Sequence, residues 1–327
     1  RMDIEADLDV WMEYAWKKEI HGSILAYLGM KKDHFYSVEN TVDGKFFVTA
    51  RGWEDLSEIL KAYEELGVEI TENLIGEYLC RDEIARSFFA SYQLYRKYGE
   101  DYGLKRLLSG EMAEEEQQKK VKMAEGASFE ERFLVTGLLL SGLNGSFLDY
   151  EKLDKETGAV YQELLHLKAF LHDKKDMTAL DEFTDVKKKS LAVRLEAELL
   201  NLEQQTTEEF VIRTLEEFSL TIRKEHITDT ETGFERIRQL FTEMVEKRKD
   251  CAKKISRELE RAFAFMKACF GDGQETVLFV TGLTRNSHAA AFIREYGCDP
   301  YFACSEKLLY RKQEKKLQEE CESLLKI

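Results

Sequence analysis

The chain has 327 residues, 43% hydrophobic and 34% charged, which gives room for two or three domains with a substantial core and excludes a disordered chain. Its formal net charge is −15, with −7 on residues 1–110 and −8 on the rest, and this argues against nucleic acid as a primary partner. A single proline in the whole length predicts long helices with few breaks.

Six cysteines, at 80, 251, 269, 298, 304 and 321, form no C-x-x-C pair and point to a reduced, cytoplasmic protein. No run of 18 apolar residues is present. The nearest approach, Phe133–Leu148, is interrupted by Gly137, Ser141, Gly142, Asn144 and Gly145 and reads as a buried helix. The chain opens on Arg1 with a helix close behind, the look of a piece excised from a longer protein.

In chain order, residues 7–17 and 20–30 read as amphipathic helices, the first with Leu8, Trp11 and Ala15 on one face. His21 and His34 have no partner at metal-ligand spacing and read as structural or exposed. A Gly44 turn leads into Phe46-Phe47-Val48, and Thr49 then stands as the N-cap of a helix. That helix carries apolar residues at 53, 56, 59, 60, 63 and 66, one face at helical spacing. Arg51 precedes Trp53 by two positions, so at about 100° per residue it points roughly away from the buried tryptophan. A guanidinium at a helix N-terminus is placed to meet an anion, because its charge and the helix dipole add. The plainer alternative is a surface pair with Asp55 at i,i+4. Thr71 and Asp82 read as N-caps of two further helices, the second ending at Gly99 with Ile84, Phe88, Tyr92 and Tyr95 on its buried stripe.

The segment Thr49-Ala50-Arg51-Gly52-Trp53-Glu54 resembles the T-x-R-x-W-E segment in the lid subdomain of MoxR-type AAA+ ATPases. His34-Phe35-Tyr36 before it, and Leu74–Leu79 and Ile84–Phe89 after it, continue the likeness over about the first 110 residues. Ala50 stands where most members carry proline, a departure that leaves the helix start intact. The resemblance implies that Arg51 is the sensor-2 arginine, which reaches the γ-phosphate of ATP. It also implies that ATP and Mg²⁺ are held by an N-terminal AAA+ core of the same protein. By the same likeness, the parent forms ring oligomers and acts in a chaperone-like way on a client, often one with a von Willebrand factor A domain.

Residues 111–126 are highly charged and end in Gly126, the best candidate domain boundary. A helical hairpin is expected next, 128–144 and 151–173, joined through Gly145-Ser146. From Phe234 to Cys269 apolar residues approximate alternating steps of three and four, a coiled-coil-like seam with Arg248 as its polar intruder. An antiparallel partner such as 186–225 would complete a long arm. Near the end, Thr276–Thr281 reads as a strand, 286–296 as a helix, Tyr301-Phe302-Ala303 as a second strand and Ser305 as the cap of a terminal helix. Thr281–Ser287 then reads as a strand-to-helix turn with exposed amides and an arginine, a weak candidate anion or small-molecule site.

No complete active site is legible. The one G-x4-G, Gly137–Gly142, is followed by Leu143-Asn144 instead of Lys-Ser/Thr and lies in an apolar helix, so it is not a P-loop. The expectation is a mostly α protein in three parts. These are a lid-like bundle over 1–110, a helical extension over 111–270, and a small strand–helix–strand element with a terminal helix over 271–327. Alone, the chain is expected neither to hydrolyse ATP nor to bind it tightly. The alternative is a helical scaffold or adaptor with no nucleotide function.

Overall fold

The structure, a computed structural model, describes residues 6–41, 44–174 and 176–307. The fold is mostly α, and among the described residues one antiparallel pair of strands is present. The chain divides into two compact units, one from 1–147 and 254–327 and one from 148–253. Residues 1–110 and the segment after 271 thus belong to the same unit, and the unit borders fall inside long helices, not in the charged run at 111–126.

In the first unit, Asp7 caps α1 (Leu8–Lys17) by accepting from the backbone N–H of Asp9 at 2.8 Å and of Val10 at 3.1 Å. Helix α2 (Gly22–Met30) is buried from Gly22 to Leu28, which its almost uniformly apolar sequence requires. Strands β1 (Ser37–Thr41) and β2 (Gly44–Val48) pair with Ser37 opposite Val48 and Val38 opposite Phe47. Helix α3 (Ala50–Leu66) starts at Thr49 and stops at Gly67, whose φ of +67° favours glycine. Thr71 caps α4 (Glu72–Tyr78).

Helix α5 (Asp82–Tyr102) departs from expectation at both ends. Arg81 holds the cap position and Asp82 is the first helical residue, where its charge still suits the dipole. The helix also runs through Gly99 to Gly103. A glycine inside a helix costs about 1 kcal/mol without ending it, whereas Gly103 adopts φ +59° and does end it. Two short helices follow, α6 (Leu104–Ser109) and α7 (Glu114–Glu125).

The expected hairpin over 128–173 is instead one helix, α8 (Phe129–Leu171), of 43 residues. Gly145 has no positive φ, and no proline interrupts the run. The other glycines serve packing: a Cβ on Gly137 would lie 2.8 Å from that of Ala26, and one on Gly142 would lie 2.9 Å from Leu108. Helix α11 (Thr230–Phe270) buries the seam residues Ile237, Ile255, Leu259, Ala262 and Met266. Ile237 belongs to the second unit's core and the other four to the first unit, so the expected single arm over 234–270 is not formed.

The expected strand at 276–281 lies inside a helix, α12 (Gln274–Arg285). Its β-branched and aromatic residues suit a strand, but Thr276, Phe279, Val280 and Leu283 also fall on one helical stripe, and all four are buried. Helix α13 (Ser287–Tyr296) matches expectation. Residues 299–307 are helical too (α14), so Tyr301–Ala303 is no strand and Ser305 is no cap. The strand–helix–strand element is therefore absent: the apolar run at 276–281 finds no strand to pair with and buries its stripe as a helix instead.

The second unit contains residues 148–171 of α8, α9 (Ala179–Glu196), α10 (Leu202–Lys224) and residues 230–253 of α11. The expected continuous partner 186–225 is broken at 197–201, where Asn201 and Gln204 form a reciprocal capping box for α10. Val160, Leu164, Leu167, Leu180, Leu215, Ile222 and Ile237 fill the core. Arg248 is accommodated by an ion pair with Asp154 and by the Tyr150 ring, 5.5 Å from its guanidinium carbon.

Candidate functional site

Three features fix the start of α3. Thr49, in extended backbone, accepts from the Gly52 N–H at 3.2 Å. Gly52 packs so closely that a Cβ there would sit 2.8 Å from the Tyr78 carbonyl oxygen. Trp53 is fully buried, and its indole N–H donates to the Phe35 carbonyl at 3.2 Å. Arg51 emerges from this rigid base with its side chain 85% exposed and its Nε 3.5 Å from Asp55 Oδ2. The i,i+4 pair weighed from sequence is thus present. Between two exposed groups it is worth a few tenths of a kcal/mol. That is too little to withhold the guanidinium from a stronger anion. The one G-x4-G, Gly137–Gly142, lies within α8 and forms no phosphate-binding loop.

The two histidines are tied into side-chain hydrogen bonds. His21 caps α2, with Nδ1 2.7 Å from Ser23 Oγ and Nε2 3.1 Å from Glu64 Oε2, while Tyr92 donates to Glu64 at 2.8 Å. The order Ser–His–Glu imitates a hydrolytic triad, but Ser23 is 1% exposed and serves the helix cap. Burial pushes the Glu64 carboxyl up, and the His21 and Tyr92 hydrogen bonds outweigh it, so the net shift is downward. His34 Nδ1 lies 2.6 Å from the Tyr27 hydroxyl, and burial lowers its pKa. Among the described residues no group of three His, Cys, Asp or Glu is placed to hold a metal ion. The five described cysteines are free thiols; burial pushes Cys269 up to about 12, away from reactive thiolate character. Cys321 lies outside the described residues.

The candidate anion turn at 281–287 is overturned. Thr281 to Arg285 are helical, and the Asn286 side chain caps α13 by accepting from His288 N–H at 3.0 Å and Ala289 N–H at 3.1 Å. Asn286 Nδ2 in turn donates to Asn144 Oδ1 at 2.6 Å, so the amides an anion needs are already used. What the segment forms instead is one wall of a cavity of about 390 Å³. Gln274, Val277, Leu278, Thr281, Gly282 and Arg285 line it from α12 at i, i+3, i+4, i+7, i+8 and i+11. Met12 and Trp16 face them from α1, Leu25 from α2, and Phe133 and Leu140 from α8. Helical periodicity at 274–285 was the available signal, and the strand reading hid it.

Among the described residues, no helix is long and apolar enough to cross a membrane. No protein-family model matches the chain, and no curated protein or solved structure matches it.

Proposed function

We propose that residues 1–110 act as the lid of a MoxR-type AAA+ ATPase and that Arg51 senses nucleotide state there. The observation that carries this reading is the exposed Arg51 guanidinium on a helix start fixed by Thr49, Gly52 and Trp53. An arginine held this way adds its charge to the dipole of α3 and meets a γ-phosphate presented by a separate ATP- and Mg²⁺-binding core. Loss of the γ-phosphate removes that contact, and the lid then moves relative to the core. The helical segments after 110 transmit this motion to a client protein, one with a von Willebrand factor A domain, within a ring of subunits. The test is Mg-ATP hydrolysis by the protein made from its whole reading frame. Arg51→Ala should lower turnover at least about tenfold, the scale of one lost charge-assisted contact, with folding unchanged. Equal rates in wild type and variant would remove Arg51 from the reaction.

A second reading, a helical scaffold without nucleotide chemistry, has its own supporting observation. Val186, Val193, Leu199 and Leu202 stand 62–75% exposed along α9, the turn after it and the start of α10. A reading frame without a P-loop upstream of Arg51 would favour this reading.

A further inference from the structure

We propose that the cavity lined by α12 binds a free, single-chain amphipathic carboxylate, a medium-chain fatty acid in form. The proposal does not depend on the nucleotide reading. A space of about 390 Å³ falls within the range of small-molecule sites. At about 30 Å³ per water it has room for roughly a dozen non-hydrogen atoms.

Its wall is apolar, and the surrounding helices are already in contact, which keeps the space from collapsing. A Cβ on Gly137 would meet Ala26 at 2.8 Å, and one on Gly282 would meet Leu140 at 2.5 Å, so α8 cannot close further on α2 or α12. Met12, Phe133, Val277 and Leu278 around the cavity are all partly exposed, leaving apolar surface that an acyl chain would cover.

Charge at the lining selects the head group. Arg285 is paired with the exposed Asp9 at 2.9 Å, a contact a bound carboxylate can compete for, and Glu275 faces Arg132 at 3.6 Å. Lys32 also lines the cavity and has no ion-pair partner among the described residues. Lys32, exposed and bordered on its other side by Asp7 and Asp9, and Arg285 are the two cationic side chains along the apolar lining, and either can meet a single carboxylate.

The test is titration of the full chain with decanoate and, separately, with decanol. Binding is followed by tryptophan fluorescence, since Trp16 lines the site, and by the NMR shift of the Met12 methyl group. Saturable decanoate binding that moves the Met12 signal is expected. Lys32→Glu, an exposed change, should weaken decanoate about tenfold and leave decanol within about twofold. Val277→Trp should fill the space and abolish both, with far-ultraviolet circular dichroism checking its fold. Several results would overturn the proposal: no saturable binding to wild type, an unmoved Met12 signal, or decanoate affinity indifferent to Lys32→Glu. Cosedimentation with phosphatidylglycerol vesicles in place of decanoate binding would also refute a free acid as the ligand.

Discussion

The two compact units fill their interiors with different side chains. Among the described residues, the eight largest fully buried rings (Trp53, Tyr27, Tyr92, Tyr102, Phe88, Phe147, Phe265 and Phe279) all belong to the first unit. Several carry polar tips that need partners: Trp53 donates to the Phe35 carbonyl, Tyr92 to Glu64 and Tyr102 to Glu131. The second unit is filled chiefly by Val, Leu and Ile, and its surface is laced with ion pairs such as Arg236–Glu225 and Lys188–Glu216. Rings with directional bonds fix the angle between neighbouring elements, while aliphatic contacts tolerate exchange of shape at constant volume. The unit with the rings is the one that holds both the Arg51 helix start and the cavity.

Replacing Trp53 by Ala removes a fully buried ring that meets Phe88 edge to face at 5.3 Å, and it orphans the Phe35 carbonyl. It should cost about 3–5 kcal/mol in urea denaturation, the largest effect of the set. In the second unit, Leu215→Met keeps the volume of a fully buried site and should cost less than about 1.5 kcal/mol. A cost equal to that of Trp53→Ala would erase the contrast between the units. Asn286→Ala falls between these, because it removes a helix cap and strands the buried Asn144 oxygen; about 1–3 kcal/mol is expected.

How far these failures and successes were legible depends on what kind of signal each residue gave. Thr49 and Thr71 announced helix starts because their short polar side chains satisfy amides within a few residues, a local effect. Gly99 and Gly145 misled because glycine permits a break without requiring one, and neighbouring helices decided the matter. The 276–281 run misled because β-branched residues suit both a strand and a buried helical stripe. For the site, the exposure of Arg51 and its Asp55 neighbour followed from angles along one helix. The cavity did not, since its walls come from α1, α2, α8 and α12, and no single stretch records a space between four elements.

Smaller effects sharpen the picture of the first unit. Burial, aided by the Lys31 charge, lowers the His34 pKa, so the unfolded chain takes up that proton first as pH falls. The stability linked to His34 is therefore complete above its ordinary value of 6.5 and declines as pH falls through 6.5 toward the lowered native value. Glu64 is also shifted down, so its share is complete above 4.5 and is lost as pH falls through its native value. His34→Gln should flatten the first of these declines in pH-dependent thermal melts.

Arg51→Ala should have the smallest effect on stability, within about 0.5 kcal/mol, because the Asp55 pair is exposed. That near-neutrality allows a clean functional test. In the protein made from its whole reading frame, the affinities for ADP and for a non-hydrolysable ATP analogue would be compared in wild type and Arg51→Ala. A γ-phosphate sensor requires the variant to lose about tenfold in preference for the ATP analogue, one charge-assisted contact, while ADP binding stays unchanged. An undiminished preference in the variant would contradict the account and leave Arg51 an ordinary surface arginine beside Asp55.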